Sequence, residues 1–136
     1  MRKLKLVTVF FCCIVFCSCS NRNKYIPAEN PLDAGREFID GCLKGEFKRA
    51  GFYMIDDTRN KELLQTQEKN YNSKSKDEKR QYLEASIIIN EDAAVNDSMH
   101  IINYQNSYDK TDRKVKVVLR NNNWQVDFKY TFDGNL

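Results

Sequence analysis

The chain has 136 residues, of which 22 are Lys or Arg and 19 are Asp or Glu. Three of the basic residues, Arg2, Lys3 and Lys5, lie in the first eighteen residues and all the acids lie after them, so the rest of the chain is close to neutral and offers no basic surface for nucleic acid. A hydrophobic content of 41% with 12% aromatics supports one packed core and excludes wholesale disorder, and the length suits one domain rather than two.

The first segment reads as an export signal covering residues 1–18. Arg2, Lys3 and Lys5 form a basic start, and Leu6 to Cys17 is an uncharged, mostly apolar run. That run is shorter than the ~20 apolar residues that a membrane-spanning helix needs. Phe16-Cys17-Ser18-Cys19-Ser20 resembles a bacterial lipobox, with a small residue just before the Cys and Phe16 where Leu is usual. The resemblance implies lipidation at Cys19 and attachment to the membrane through that N-terminal lipid. Ordinary cleavage after Ser20, at Ser18-x-Ser20, is the alternative. Cys12, Cys13 and Cys17 fall in the leader, which leaves Cys42 as the free thiol of the domain, expected as a small buried hydrophobe.

Residues 19–30 are polar and without periodicity, and read as a tether. Asn21-Arg22-Asn23-Lys24 carries none of the acids that mark surface lipoproteins in some Gram-negative lineages, and this implies a periplasm-facing place in the cell envelope.

A single domain is expected over residues 31–136. Asn30, Pro31 and Asp33 start a first helix, Ala34, Phe38 and Cys42 recur every four residues, and Gly45 ends it, giving a helix from Pro31 to Lys44. A short helix follows from Glu46 to about Tyr53. Asp56-Asp57-Thr58 is a turn that caps a mostly exposed helix from Asn60 to about Tyr71. Ser75-Lys76-Asp77-Glu78 has capping-box spacing and starts a helix ending near Tyr82. The period then changes to two. Strands are expected over Leu83–Asn90, Met99–Tyr108 and Arg113–Arg120, with turns at Asn96-Asp97-Ser98 and Asp109–Asp112. After Asn121-Asn122-Asn123, the alternation from Trp124 to Phe132 predicts a long last strand. Helices first and an antiparallel meander of about four strands after them give the α+β class, with the helices on one face of the sheet.

The runs NPLDAGREFIDGCLKGEFKRAGFYM and VKVVLRNNNWQVDF resemble the opening helices and last hairpin of small bacterial lipoproteins with the nuclear transport factor 2-like fold. That resemblance implies a cone-shaped α+β domain, a curved sheet and a pocket at the wide end. It implies no particular activity, because such folds host many unrelated ones.

Three functions remain open: an envelope lipoprotein that binds a small apolar ligand or an envelope protein without catalysis, an enzyme similar to the ketosteroid isomerases and polyketide cyclases, and a module that forms a homodimer through its sheet. The enzyme reading needs an acid or a His–Asp pair in the cone. His100 is the lone histidine and shares strand parity with Ile102, Tyr104 and Tyr108. Tyr53, His100, Tyr104 and Tyr108 are the candidate pocket residues, and Tyr130 is a further tyrosine of the same kind. Asp40 is read as solvated, Asp127 as exposed or paired with Lys116, and Asp56 and Asp57 as turn and cap residues. One His and one spare Cys cannot supply a zinc site. No Ser–His–Asp spacing, phosphate loop or dinucleotide fingerprint is present, so no catalytic residue, metal or cofactor is assigned. Apolar residues on both faces of the second strand, Met99 and Ile101 against Ile102 and Tyr104, with Ile88 and Val118 nearby, argue for a covered outer face.

Overall fold

The computed structural model describes residues 25–133; the signal segment and Cys19 lie outside the described residues. Among the described residues five helices and four strands run in the order α1 (Pro31–Lys44), α2 (Phe47–Phe52), α3 (Thr58–Asn72), α4 (Lys76–Glu84), β1 (Ile87–Asn96), β2 (Met99–Asn106), β3 (Arg113–Arg120), β4 (Asn123–Asp127) and α5 (Tyr130–Asp133). The class is α+β, with four helices followed by a four-stranded antiparallel sheet in the order β1-β2-β3-β4.

Helix α1 has the expected bounds. The Asn30 side chain accepts from the Asp33 N–H at 2.9 Å, Pro31 needs no donor in the first turn, and Gly45 closes the helix at φ 73°. Its buried stripe, Ala34, Phe38, Ile39 and Leu43, lies across the inner face of the sheet. Gly35 sets how closely the two layers approach, because a Cβ there would stand 2.5 Å from the Ile102 side chain. Arg49 of α2 binds Glu37, Asp40 and Glu46 at 2.7–3.0 Å and so fastens α2 to α1. Asp40 also meets Lys44.

Two helices begin or end beyond their expected limits. Asp57 caps α3 through the Asn60 N–H, so α3 starts at Thr58. Its exposure is as expected, since only Asn60 and Leu64 are buried. Ser75 and Glu78 form the capping box, and α4 continues to Glu84. The first strand therefore starts at Ile87 instead of Leu83. Leu83, Ala85, Ile87 and Ile89 fit a period of two, but Lys79 to Glu84 are good helix formers that carry on from a well-capped start. Leu83 is 53% exposed on that helix. At its other end β1 runs on to Asn96 through register shifts at Ile89/Glu91 and Ala94/Asn96, which hide its true length from a strict alternation.

The two sides of β2 are distinct. Ile102, Tyr104 and Asn106 face the helices and are buried, with Ile102 opposite Val115 and wholly inaccessible. Met99 and Ile101 alternate onto the other side and are half-buried. Ile102 thus belongs to the core and supplies no apolar residue for an outer surface. Ile88, Met99, Ile101 and Val118 remain there. Val115 and Val117 are fully buried, whereas Leu119, on the same parity, is 37% exposed near the strand end.

The last strand is shorter than the alternation predicts. Strand β4 stops at Asp127, and the chain turns into α5. The Lys129 N–H, which a continuing strand would give to β3, goes instead to the Asn60 side chain at 2.9 Å. The Thr131 hydroxyl donates to the Lys114 carbonyl at 2.8 Å and so serves part of β3 that β4 does not reach. An alternating pattern contains pairs four apart, and Phe128 and Phe132 use that spacing in the turn, with ring centroids 5.1 Å apart.

Asn60 is the hub of this corner. Its amide group donates to Asp57 at 3.1 Å and to Asp127 at 3.3 Å, and Lys129 meets both acids. Asp127 also pairs with Lys116 across the strands at 3.1 Å, the partner expected for it, with both side chains buried. The backbone of Tyr53 and Ile55 bonds to Val126, which lays the segment after α2 along β4. Residues 25–30, read from composition as part of the tether, lie against the domain: the Tyr25 ring packs on Phe52, and the Tyr53 hydroxyl donates to the Ile26 carbonyl at 2.7 Å.

Candidate functional site

A cavity of about 320 Å³ opens between α1, the C-terminal end of α3, α4, the β2–β3 turn and α5. The shortness of β4 creates one wall of it. Because the chain turns at Phe128, the rings of Phe128 and Phe132 close the cavity where a longer strand would have run on, and Phe38 of α1 meets Phe128 at 4.9 Å. Ile39, Cys42 and Leu43 extend the apolar lining along α1.

The polar lining comes from Gln67 and Asn70 of α3, Lys74 after it, Tyr82 of α4 and Thr131 of α5, and from the end of β2 and the turn after it. Tyr104 is buried, and desolvation raises its phenol well above the ordinary value, so the hydroxyl stays neutral. Asn106 follows on the same face and is 1% exposed. Its side-chain oxygen accepts from the Tyr108 and Asp109 N–H groups at 3.0 and 2.9 Å. Those two donors fix which end of the amide is oxygen. The Asn106 Nδ2 is buried, and the Asn106 side chain helps to hold the neighbouring Asp109 carboxyl ionised.

Asp109 is fully engaged. Arg113 binds it with both guanidinium nitrogens at 2.7 and 3.1 Å, the Thr111 N–H donates at 2.9 Å, and the Tyr82 hydroxyl at 3.2 Å. Partial burial works to raise the Asp109 pKa, but the bonds from Arg113, Thr111 and the Asn106 side chain outweigh it and hold the carboxyl well below the usual range. The Asp109 bond in turn raises Arg113. Burial pushes the Cys42 thiol up to about 12. The lining thus holds a neutral phenol, a protonated thiol, an amide and the Asp109–Arg113 ion pair, together with Gln67, Asn70 and Lys74.

Of the residues singled out in the sequence, Tyr104 lines the cavity. Tyr53 stands with Tyr25 and Phe52 near the start of the domain, and Tyr108 is 42% exposed with its ring edge-on to Tyr82. Tyr130 lies over Lys116. His100 binds Asp92 through Nδ1 at 2.8 Å and meets the edge of Trp124, four residues along β2 from Tyr104 and away from the cavity lining. The structure does not bring Tyr53, His100, Tyr104 and Tyr108 together. Asn106, Asp109, Arg113 and Tyr82, with Gln67, Asn70, Lys74 and Thr131, are polar lining that the sequence reading missed. The signal for Asn106 was its parity with Ile102 and Tyr104, which places an amide in a core position. Asp57 acts as the expected cap, and Asp56 pairs with Lys61.

Among the described residues no three His, Cys, Asp or Glu side chains cluster as a metal site, and no helix is long and apolar enough to cross a membrane. Comparisons with protein-family models, with curated proteins and with solved structures find no match.

Proposed function

We propose that this is an exported envelope protein, anchored by lipid at Cys19, whose domain is a nuclear transport factor 2-like cone that binds a small apolar molecule without transforming it. The observation that carries this reading is the cavity itself, where apolar side chains of α1, Phe128 and Phe132 share the lining with polar ones from α3, α4 and the β2–β3 turn. Helices lying across one face of an antiparallel sheet, with the cavity at the end where β4 gives way to α5, support the cone. The state of the lining supports binding over turnover. Asp109 is saturated with donors and held ionised, and Cys42 is held as a thiol, so neither is poised to take a proton near pH 7. The His–Asp pair that the enzyme alternative needs forms at His100 and Asp92, but apart from the cavity lining.

The test is solvent extraction and mass spectrometry of the full chain purified from envelope membranes. A co-purifying apolar compound of defined mass, at near-equal stoichiometry, is the expected result. Extracts holding only bulk membrane lipid in proportions matching the membrane would refute it. Labelled palmitate should enter the wild-type chain and not Cys19→Ala; equal labelling of the two would remove the anchor from the reading.

A further inference from the structure

We infer that the ligand of this cavity is a single-chain amphiphile with one anionic headgroup, of the fatty-acid kind, whose carboxylate pairs with Lys74. The inference rests on the binding reading above and names the chemistry that would be recognised.

Three observations carry it. First, the charged residues of the lining are Lys74, Asp109 and Arg113, and two of them cancel. Arg113 grips Asp109 through two bonds at 2.7 and 3.1 Å, which leaves the Lys74 ammonium as the uncompensated charge. Lys74 makes no ion pair among the described residues; its Nζ stands over the Tyr82 ring, 5.0 Å from the centroid. A ring face holds an ammonium in place without neutralising it. Glu78 of α4 is within reach of its field, but that carboxylate is exposed and accepts from the Ser75 N–H and hydroxyl, both at 3.1 Å. Second, Gln67, Asn70 and Lys74 recur at three and four residues, so one side of the end of α3 turns to the cavity with two neutral amides beside the cation. Lys74 is half-buried, so a carboxylate paired there keeps part of its hydration and no bare anion is buried. Third, Phe38, Leu43, Phe128 and Phe132 offer an apolar wall to hydrocarbon, and about 320 Å³ is at the small end of ligand pockets. That volume suits one chain of medium length and not a two-chain lipid. One spare positive charge beside an apolar wall matches one chain ended by one negative charge.

The test uses two photoreactive probes, decanoate and decanol, each bearing a diazirine at the chain end. The full chain is reconstituted in phosphatidylcholine nanodiscs, which carry no net lipid charge, and labelled peptides are read by mass spectrometry at pH 8 as each probe is titrated. Both probes should label peptides holding Phe38 to Leu43 or Phe128 to Phe132. Decanoate should half-saturate that labelling at about one-fifth the concentration of decanol, the factor expected for one ion pair at a half-exposed site. In Lys74→Gln the decanoate value should rise to that of decanol, while decanol labelling stays as in the wild type and so shows that the cavity is retained. Lys74→Arg should keep the preference. Comparing variants in the same nanodiscs cancels the partitioning of each probe into lipid. If neither probe labels the cavity peptides, the binding reading fails and takes this inference with it. Equal labelling by the two probes in the wild type, or a decanoate preference that survives Lys74→Gln, overturns the anionic headgroup and leaves the binding reading standing.

Discussion

Replacing Asn60 with Ala should cost the fold about 3 kcal/mol. The side chain is fully buried and makes three hydrogen bonds, two donated to the carboxylates of Asp57 and Asp127 and one accepted from the Lys129 N–H. A bond to a charged partner is worth about 1.5–3 kcal/mol, and a neutral one about 1 kcal/mol. The full sum is too large, because Asp127 keeps Lys116 and Lys129, and Asp57 keeps Lys129 and the Asn60 backbone. The Lys129 N–H loses its acceptor outright, and a small void is left. Urea unfolding followed through Trp124 fluorescence measures the effect. With a slope of about 2 kcal/mol per molar, the midpoint should fall by roughly 1.5 M at unchanged slope. Amide exchange should quicken in α5 before the sheet, since the Lys129 bond is what turns the chain out of β4. A loss under about 1 kcal/mol, or α5 exchange unchanged, would mean that the corner is held by its ion pairs and the turn by local preference alone, and the reasoning would be wrong.

Other outcomes follow from the same geometry. Gly45→Ala should lower stability by about 1 kcal/mol or more, because the site needs positive φ and a Cβ would meet the Tyr71 ring at 2.5 Å; an unchanged melting temperature would contradict this. Ile102→Asp should abolish cooperative unfolding, since it places an unpaired carboxylate in the core, while Met99→Asp on the opposite side of β2 should leave a folded chain; circular dichroism decides, and a folded Ile102→Asp protein would reverse the assignment of faces. The Asn60 N–H and Lys129 hold Asp57 below its usual pKa, and Asp109 is likewise depressed. A depressed carboxylate stabilises the fold above its unfolded value of about 3.9 and ceases to as pH falls through the lower folded value. Stability should be flat above about pH 5 and decline below about pH 4, less steeply in Asp109→Asn; an identical acid profile for that variant would refute Asp109 as a source. Cys42, with its thiol pushed up to about 12, should react with a disulfide reagent at pH 8 far more slowly than a free thiol until denaturant is added; prompt reaction in the native state would show the thiol to be activated.

Local rules made the helical half legible. Asn30, Gly45 and the Ser75–Glu78 box each act within one turn of chain, and the structure places them as their chemistry requires. Strand β3 has the same advantage, because turns bound it on both sides. The errors fall where a distant residue decides. Nothing near Trp124 to Phe132 announces that Asn60 will take the Lys129 N–H, so the alternation reads straight through the bend. Leu83 was ambiguous between two periods, and only the length of α4 resolves it. The site suffered similarly. Tyr104 could be chosen by residue type, but Asn106 joins the lining only because the parity of β2 carries an amide to the inner face. The His100–Asp92 pair was invisible because the bulge in β1 shifts the register that brings the two together.

The outline of the sheet limits how copies of this protein can meet. One margin is occupied, since the backbone of Tyr53 and Ile55 already bonds to Val126. The other margin is β1, which is broken twice by changes of register and carries Glu91 and Asp92 near the first of them. A straight, unpaired margin invites another chain to pair with it, whereas kinks and charge discourage it. Under the proposed lipid anchoring, molecules crowded on a membrane would have no regular border to join, and any self-association would have to go through side chains on the sheet's outer face.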